Sequence, residues 1–280
     1  MHHPVLLPEV INNLLIKKSG YYIDATFGEG GFAFEILKRG GKVLAIEWDE
    51  KQYQIGKVKY QKEIEEKRLK LINENFKKIK KIAQENNFFP VDGILFDLGI
   101  SMKQLKESGR GFSFKKENEP LDMRISLKLK LKAADLINSL SQEKLYETFA
   151  KYSEEIHSLR LVENIILARA VKKIEKVKDL VEIIDKTLGK KDERAYQRIF
   201  QGLRITVNEE MENLKKGLEG AAAILNETGR IVVITFHSLE DRLVKNFVKN
   251  NNLHFLTKKP IVSKRFSYER SAKLRIISLN

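Results

Sequence analysis

Apolar runs of strand length alternate with amphipathic stretches of helix length through the first hundred residues. The four apolar runs are 21–27, 42–48, 69–73 and 91–98. Apolar residues in the stretches between them recur at helical spacing, in 32–38, 50–67 and 76–85. Strands that alternate with helices in this way predict an α/β fold with a parallel sheet covered by helices.

The alternation stops near Ser101 and is replaced by helical patterns alone, in residues 133–151, 154–174 and 177–188. Gly189 is a plausible stop for the last of these helices. We therefore predict an all-helical domain, residues 105–199, inserted into an α/β domain formed by residues 1–104 and 200–280.

Strand character returns after a helix that is predicted to end near Leu225. Residues 231–234 are continuously β-branched, which is typical of a central, buried strand. A helix is predicted over 239–250, with a capping box formed by Ser238 and Asp241. Two short strands, 253–257 and 274–278, are predicted to follow, joined by a basic loop.

The composition excludes several classes of protein. The chain has 280 residues, of which 42% are hydrophobic and 32% charged, as in ordinary soluble enzymes. It has no cysteine, so disulfides, thiolate metal sites and cysteine-ligated zinc deaminases are excluded, and no metal is predicted. No apolar run is long enough to span a membrane and no secretory signal is visible, so we expect a cytoplasmic protein without a membrane partner.

Most of the net charge of +14 comes from residues 101–280. Residues 252–280 contain seven basic residues and one acidic residue. Phe266 and Tyr268 interleave with these basic residues, a pattern typical of RNA-binding surfaces. A general lysine bias of the genome explains the charge equally well, so charge alone leaves both interpretations open. The basic residues of this tail are Lys258, Lys259, Lys264, Arg265, Arg270, Lys273 and Arg275.

A glycine-rich turn follows the first predicted strand. Gly28, Gly30 and Gly31 would let the backbone approach a ligand at the start of a helix. Glu47 follows Gly28 by nineteen residues, an offset at which an acid can bind ribose hydroxyls. The glycines also fit a nicotinamide fingerprint, so a dehydrogenase is an alternative, as is a tight turn that binds no nucleotide.

Further candidate residues come at the ends of later strands. Phe76 follows the third strand, where an aromatic ring could hold an adenine, although it could equally belong to the core. Asp97 ends the fourth strand, at the edge where ligands bind in such sheets. It could accept a proton or bind a methyl donor. His237 follows the fifth strand and could contact a base or phosphate, relay a proton, or be structural.

Several segments of the chain, including those that contain Asp97 and His237, together resemble the RsmH (MraW) family, bacterial methyltransferases that act on small-subunit ribosomal RNA. The segments are 2–7, 24–31, 96–101, 200–205, 271–275, Arg-Gly-Phe-Ser-Phe at 110–114, Pro-Leu-Asp-Met-Arg at 120–124, and Phe-His-Ser-Leu-Glu-Asp-Arg at 236–242. The last three are specific to this family rather than to methyltransferases at large.

The resemblance implies a Rossmann-like class I methyltransferase sheet with an inserted helical domain. It implies methyl transfer from S-adenosylmethionine to the exocyclic N4 of a cytosine in the decoding region of 16S rRNA, within the small ribosomal subunit. Carried over by position, the donor contacts are Gly30, Gly31, Phe32, Glu47, Phe76, Asp97 and Gln104. The candidate RNA contacts are Arg110, Phe112, Arg124, Arg198, Arg204, Lys264, Arg265 and Arg270. Phe112 and Phe114 could clamp an extruded base, or could pack under the inserted domain.

The sequence departs from the family pattern in three places. Phe32 replaces the usual His, Glu47 replaces the usual Asp, and Met102-Lys103 replaces Ser-Pro before Gln104. A backbone contact at Phe32 survives its change, whereas a side-chain contact would not. These departures keep open a second alternative, an RNA-binding protein that has lost catalysis.

Overall fold

The structure is a computed structural model that describes residues 4–263 and 270–279. The chain forms two compact units, one of Met1–Gly99 with Met211–Asn280 and the other of Ile100–Glu210. The division thus lies after Gly99 and after Glu210, whereas the sequence predicted it after residues 104 and 199. The reason is packing, because Ile100, Leu105 and the apolar side of residues 193–207 belong to the core of the second unit.

The first unit is built on one seven-stranded sheet with the strand order β3-β2-β1-β4-β5-β7-β6. The strands β1 to β5 pair in parallel, and β7 pairs antiparallel with both β5 and β6. This sheet confirms the predicted α/β fold class. The strands are β1 Tyr21–Asp24, β2 Lys42–Glu47, β3 Leu69–Asn73, β4 Val91–Asp97, β5 Leu225–Thr235, β6 His254–Phe255 and β7 Lys273–Ser278.

Helices cover both faces of the sheet and form the second unit. They are α1 Leu7–Leu14, α2 Gly31–Lys38, α3 Glu50–Lys59, α4 Gln61–Glu65, α5 Ile79–Glu85, α6 Met102–Glu107, α7 Ala133–Ser139, α8 Gln142–Tyr152, α9 Ser158–Val171, α10 Val177–Leu188, α11 Glu193–Val207, α12 Glu210–Ala222 and α13 Ser238–Asn250. A short 3₁₀ turn, Phe76–Lys78, precedes α5. Within the described part of the chain, no helix is both long and apolar enough to cross a bilayer.

The central strands are buried on both faces. Residues 231–234 of β5 have no exposed surface, which confirms the central strand predicted from their β-branched run. One face packs against α5, α12 and α13, and the other packs against α1 and α2. The helical unit has a separate core around Phe149, Leu145 and Val162. Gly189 ends α10 with φ +69°, as predicted.

Several predicted bounds are wrong for local reasons. The helix predicted over 50–67 breaks at Tyr60, whose ring packs edge-to-face on Phe27 instead of continuing a surface helix. The predicted helix over 133–151 divides because Ser141 starts a new helix by accepting a hydrogen bond from the Lys144 amide. The capping box of α13 is formed by His237 with Glu240 and not by Ser238 with Asp241.

Candidate active site

The glycine turn after β1 has a backbone that requires glycine. Gly28 and Gly30 have φ values of +54° and +79°, in the left-handed region that L-residues rarely adopt. A Cβ on Gly30 would lie 2.5 Å from the ring of Tyr60 and 2.6 Å from that of Phe27. Gly30 is also the N-cap of α2 and makes no side-chain cap, so the positive end of this helix starts at the turn.

Glu47 ties this turn to the end of β2. Its Oε2 accepts a hydrogen bond from the Gly28 amide at 2.8 Å, and its Oε1 accepts one from the Asp49 amide at 2.8 Å. The side chain is buried, and burial raises the pKa of Glu47 to about 8. The structure therefore brings Glu47 to the glycine turn, and its role in ribose binding stays a prediction.

Asp24 is a buried carboxylate that the sequence reasoning did not single out. It ends β1 with no exposed surface, and its Oδ1 accepts a hydrogen bond from the Thr26 amide at 3.3 Å. Its Oδ2 is buried and makes no hydrogen bond within the described part of the chain. Burial raises the pKa of Asp24 to about 7, against the amides of Thr26 and Ala33, which lower it. An acid as the last residue of a strand before a glycine turn is the signal that could have found it.

Asp97 lies at the end of the neighbouring strand β4. Its backbone amide donates to the Thr26 hydroxyl oxygen at 2.7 Å, which joins the end of β4 to the turn after β1. Its Oδ1 is buried and makes no hydrogen bond among the described residues. Burial, and then the negative charges of Asp24 and Glu240, raise the pKa of Asp97 to about 8. A carboxyl with this pKa exchanges protons near neutral pH.

Phe76 lies just after β3, which is the strand beside β2 on the side away from β1. Its ring meets Phe96 edge-to-face with a centroid distance of 5.5 Å. A Cβ on Gly217 would lie 2.8 Å from the Phe76 ring, so α12 packs closely on it. The ring is half-buried, which combines the core role with an exposed part that could meet an adenine.

His237 caps α13 at the end of β5. Its Nδ1 accepts a hydrogen bond from the Glu240 amide at 3.4 Å, and its Nε2 lies 3.1 Å from Glu240 Oε1 outside hydrogen-bond geometry. Glu240 in turn accepts a hydrogen bond from the Phe236 amide at 2.8 Å. The capping accounts for the position of His237, and its catalytic role stays a prediction. Glu240, three residues beyond the cap, was missed by the sequence reasoning.

Two of the expected donor contacts have side chains with other partners. Phe32 lies in α2 and its side chain is buried in the core, so only its backbone is available to a ligand. Gln104 lies in the helical unit, where it forms a capping box with Ser101. Their roles in donor binding stay predictions.

The comparison with known proteins decides the family. The model of the MraW methylase family matches residues 1–279. The chain belongs to the MraW methylase family. This confirms the resemblance inferred from the motifs and the predicted enzyme class, an S-adenosylmethionine-dependent methyltransferase, and it removes the dehydrogenase alternative.

Curated relatives match this chain along nearly its whole length. A "Ribosomal RNA small subunit methyltransferase H" from Dictyoglomus thermophilum is 40% identical, over 99% of this chain and 96% of that protein. A protein of the same name from Clostridioides difficile is 36% identical, over 98% and 97%. Among solved structures, an rRNA methylase from Streptococcus thermophilus has a TM-score of 0.46 at 9% identity, covering 100% of this chain and 98% of that chain.

The arginines that were predicted to contact RNA have partners inside the helical unit of the MraW chain. Arg110 donates to the carbonyl oxygens of Arg124 and Ile125 at 2.8 and 2.6 Å. Arg124 binds both carboxylate oxygens of Asp122, at 2.7 and 2.9 Å.

The two later arginines are paired as well. Arg204 binds both carboxylate oxygens of Glu210, at 2.8 and 3.0 Å, and its side chain is largely buried. Arg198 binds Glu155 at 2.5 Å but keeps 41% of its side chain exposed. Arg198 therefore exposes more of its side chain than Arg124 or Arg204, each of which is 14% exposed.

The predicted aromatic RNA contacts and the basic residues of the tail differ in position. Some are buried in a core, some are exposed, and some lie outside the described residues. Phe112 is buried in the core of the helical unit. This position fits the alternative in which its ring packs inside the domain, and it gives no support to contact with RNA. Phe114 packs near Tyr196, with ring centroids 5.3 Å apart. Arg270 is exposed. Arg275 is buried and paired with Asp241, so it does not belong to a basic surface. Lys264 and Arg265 lie outside the described residues, as do Phe266 and Tyr268.

Proposed function

We propose that this enzyme transfers the methyl group of S-adenosylmethionine to the exocyclic N4 of a cytosine in the decoding region of 16S rRNA. The observation that carries the proposal is the match to curated relatives named for small-subunit rRNA methylation, at 36–41% identity along the chain. The family-specific motifs at 110–114, 120–124 and 236–242 support the choice of base. Such a substrate would place the enzyme in the cytoplasm.

We propose that the first unit holds the methyl donor at the carboxyl ends of β1, β2, β3 and β4. The glycine turn packs so closely on Tyr60 and Phe27 that only glycine fits at Gly30, and it places the backbone amides at the start of α2 where a ligand could bind them. Glu47 would accept hydrogen bonds from the ribose hydroxyls, and Phe76 would contact the adenine. Backbone groups of Gly28, Gly31 and Phe32 complete this set, and Gln104 is assigned to it by family position.

The chemistry requires an acceptor for a proton. S-adenosylmethionine supplies an electrophilic methyl group, which cytosine N4 attacks poorly because its lone pair is delocalised into the ring. Orienting the amine and accepting a hydrogen bond from it would raise its reactivity. Asp97 Oδ1 is buried without a partner in the described part of the chain and would take the proton that N4 loses. Alternatively, Asp97 only binds the donor, and His237 contacts the base.

We further propose that RNA binds through exposed basic residues. Arg198 is half-buried with 41% of its side chain exposed, Arg270 is exposed, and Lys258 and Lys259 lie on the surface before the segment that contains Lys264 and Arg265. Phosphate contacts of this kind position the RNA and weaken as salt rises.

The test is transfer of labelled methyl to purified small subunits that lack the modification, followed by nucleoside analysis. We expect N4-methylcytidine as the labelled product. Label on guanine, or on C5 of cytosine, would refute the base assignment. Binding of subunits without any transfer would favour the alternative of an RNA-binding protein that has lost catalysis, and the departures at Phe32 and Met102 would then be its cause.

A further inference from the structure

Three carboxylates lie on one face of the sheet at its carboxyl edge. Asp24 on β1 pairs with Ala45 on β2 and with Leu95 on β4. Glu47 and Asp97 come two residues later on those two strands. Because side chains alternate along a strand and paired positions share a face, all three carboxylates lie on the same face. Asp24 is the middle one, one layer deeper than the other two.

The groups around these carboxylates are mostly acidic. Asp49 acts electrostatically on Glu47, and Glu240 acts on Asp97 from the start of α13, where His237 is its neighbour. Burial raises the pKa of Tyr60, at the end of α3, and the negative charges of Asp24, Glu63 and Glu29 raise it further. Lys59, a cation at the end of α3, donates to the Glu29 carbonyl oxygen at 2.9 Å.

No lysine or arginine of the described residues forms an ion pair with Asp24, Glu47 or Asp97. A buried carboxylate oxygen without a hydrogen-bond partner is unusual, since buried polar atoms are nearly always paired. Asp24 Oδ2 and Asp97 Oδ1 both have this character. The cluster is therefore short of positive charge.

We propose that Asp24 is a specificity-determining residue that selects the cationic methyl donor over its neutral demethylated product. The donor has a sulfonium and carries one positive charge more than the thioether left after transfer. The negative charge of a buried carboxylate would attract the positively charged sulfonium across the site. It would attract the neutral thioether only weakly. Loss of the methyl group would then remove the attraction and help the product leave. This inference rests on the donor position proposed above.

A purely structural role of Asp24 needs only part of its carboxylate. Its Oδ1 accepts from the Thr26 amide, and an asparagine side chain has a carbonyl oxygen that can do the same. The second oxygen makes no hydrogen bond among the described residues, although the Ala33 amide also stabilises the carboxylate charge, and that charge is what the substitution Asp24→Asn removes. The isosteric change thus separates capping from charge.

Proton release is the second consequence. The pKa of Asp24 is raised to about 7, and those of Glu47 and Asp97 are raised to about 8, in each case chiefly by burial. Without a cation, the cluster holds protons near neutral pH. A bound cation favours the ionised carboxylates, so protons are released. The affinity for the donor should therefore fall as pH falls below about 8, whereas the affinity for the product should change little.

The experiment is calorimetric titration of the full chain with S-adenosylmethionine and with S-adenosylhomocysteine. For Asp24→Asn we expect roughly tenfold weaker donor binding, as for one screened charge several ångströms away, and less than about twofold change for the product. Asp92→Asn is the matched control, since it removes the same charge at the opposite edge of the sheet, where Asp92 pairs with Lys17. It should change neither affinity. An equal loss for both ligands in Asp24→Asn would refute charge selection.

Two further measurements distinguish a failure of charge selection by Asp24 from a failure of the proposed donor position. If Asp24→Asn does not fold, the wild-type chain is titrated in buffers of different ionisation enthalpy. Proton release with the donor and not with the product supports the proposal, and equal release with both refutes it. Glu47→Ala tests the donor position itself, because Glu47 would bind the ribose of the donor and the substitution adds no atoms. If this variant binds both ligands as the wild type does, the proposed position is wrong, whatever Asp24 does.

Discussion

Removal of Asp241 should unfold the α/β unit more easily, because it leaves a buried arginine without its carboxylate. Arg275 Nε lies 2.6 Å from Asp241 Oδ1, and both side chains are more than nine-tenths buried. Arg275 also lies over the ring of Phe255, at 5.0 Å, and so has nowhere to rotate without losing that contact. Breaking one side of such a buried pair costs about 3–5 kcal/mol.

The variant Asp241→Asn keeps one acceptor, so we expect a loss of about 3 kcal/mol in the free energy of unfolding. For a chain of this size, that corresponds to a fall in Tm of about 6–12 °C. Trp48 is the sole tryptophan and follows β2, so its fluorescence reports unfolding of this unit in urea. Glu35→Gln is the control, since it breaks the partly exposed pair with Arg39 and should cost less than about 1 kcal/mol.

The pH dependence gives a second check on the pair. Burial acts to raise the pKa of Asp241, but the hydrogen bonds and charge of Arg275, with Lys273 and Lys245, lower it overall. Its contribution is therefore present above the pKa of the unfolded state and is lost as pH falls through the folded-state pKa. The difference between wild type and Asp241→Asn should shrink in acid. A loss below about 1 kcal/mol at neutral pH, or a difference that does not shrink, would refute the reasoning.

Two predictions concern catalysis and RNA. In Asp97→Asn, kcat should fall by about 10²–10⁴ if Asp97 accepts the proton, and the rise of the wild-type rate with pH through about 8 should disappear. An unchanged kcat with weaker donor binding would assign Asp97 to the donor alone. Lys258→Glu combined with Lys259→Glu should raise KM for small subunits and flatten its salt dependence by roughly 0.9 per lost phosphate contact, with kcat unchanged. A KM that does not move would remove these lysines from the RNA surface.

The sequence predicted the parts of the fold that depend on long hydrophobic patterns. The helix α10 has the predicted bounds, and β5 has the predicted central place, because a periodic or continuous apolar run leaves few alternatives. It did not predict α1, whose N-cap Leu6 has a left-handed backbone and no polar cap. Nor did it predict the break at Tyr60, which depends on contact with Phe27, a residue distant in the chain.

The sequence likewise singled out some residues of the candidate site and not others. Glu47 was singled out because its distance along the chain from Gly28 has a physical meaning, and the two are hydrogen-bonded, whereas its role in donor binding stays a prediction. Asp24 was missed because an acid before a glycine turn is read first as part of the turn. Arg275 was assigned to a basic tail because its partner, Asp241, comes from another element and cannot be paired with it from the sequence.

The position of β5 in the sheet also affects how the chain is made. Its partner β4 is synthesised before the whole helical unit, and β5 emerges only after it. Until then the nascent chain presents β4 as an open strand edge, which is prone to wrong pairing. Interruption of translation inside the helical unit should therefore yield fragments that aggregate, and slow ribosomes should increase the need for chaperones.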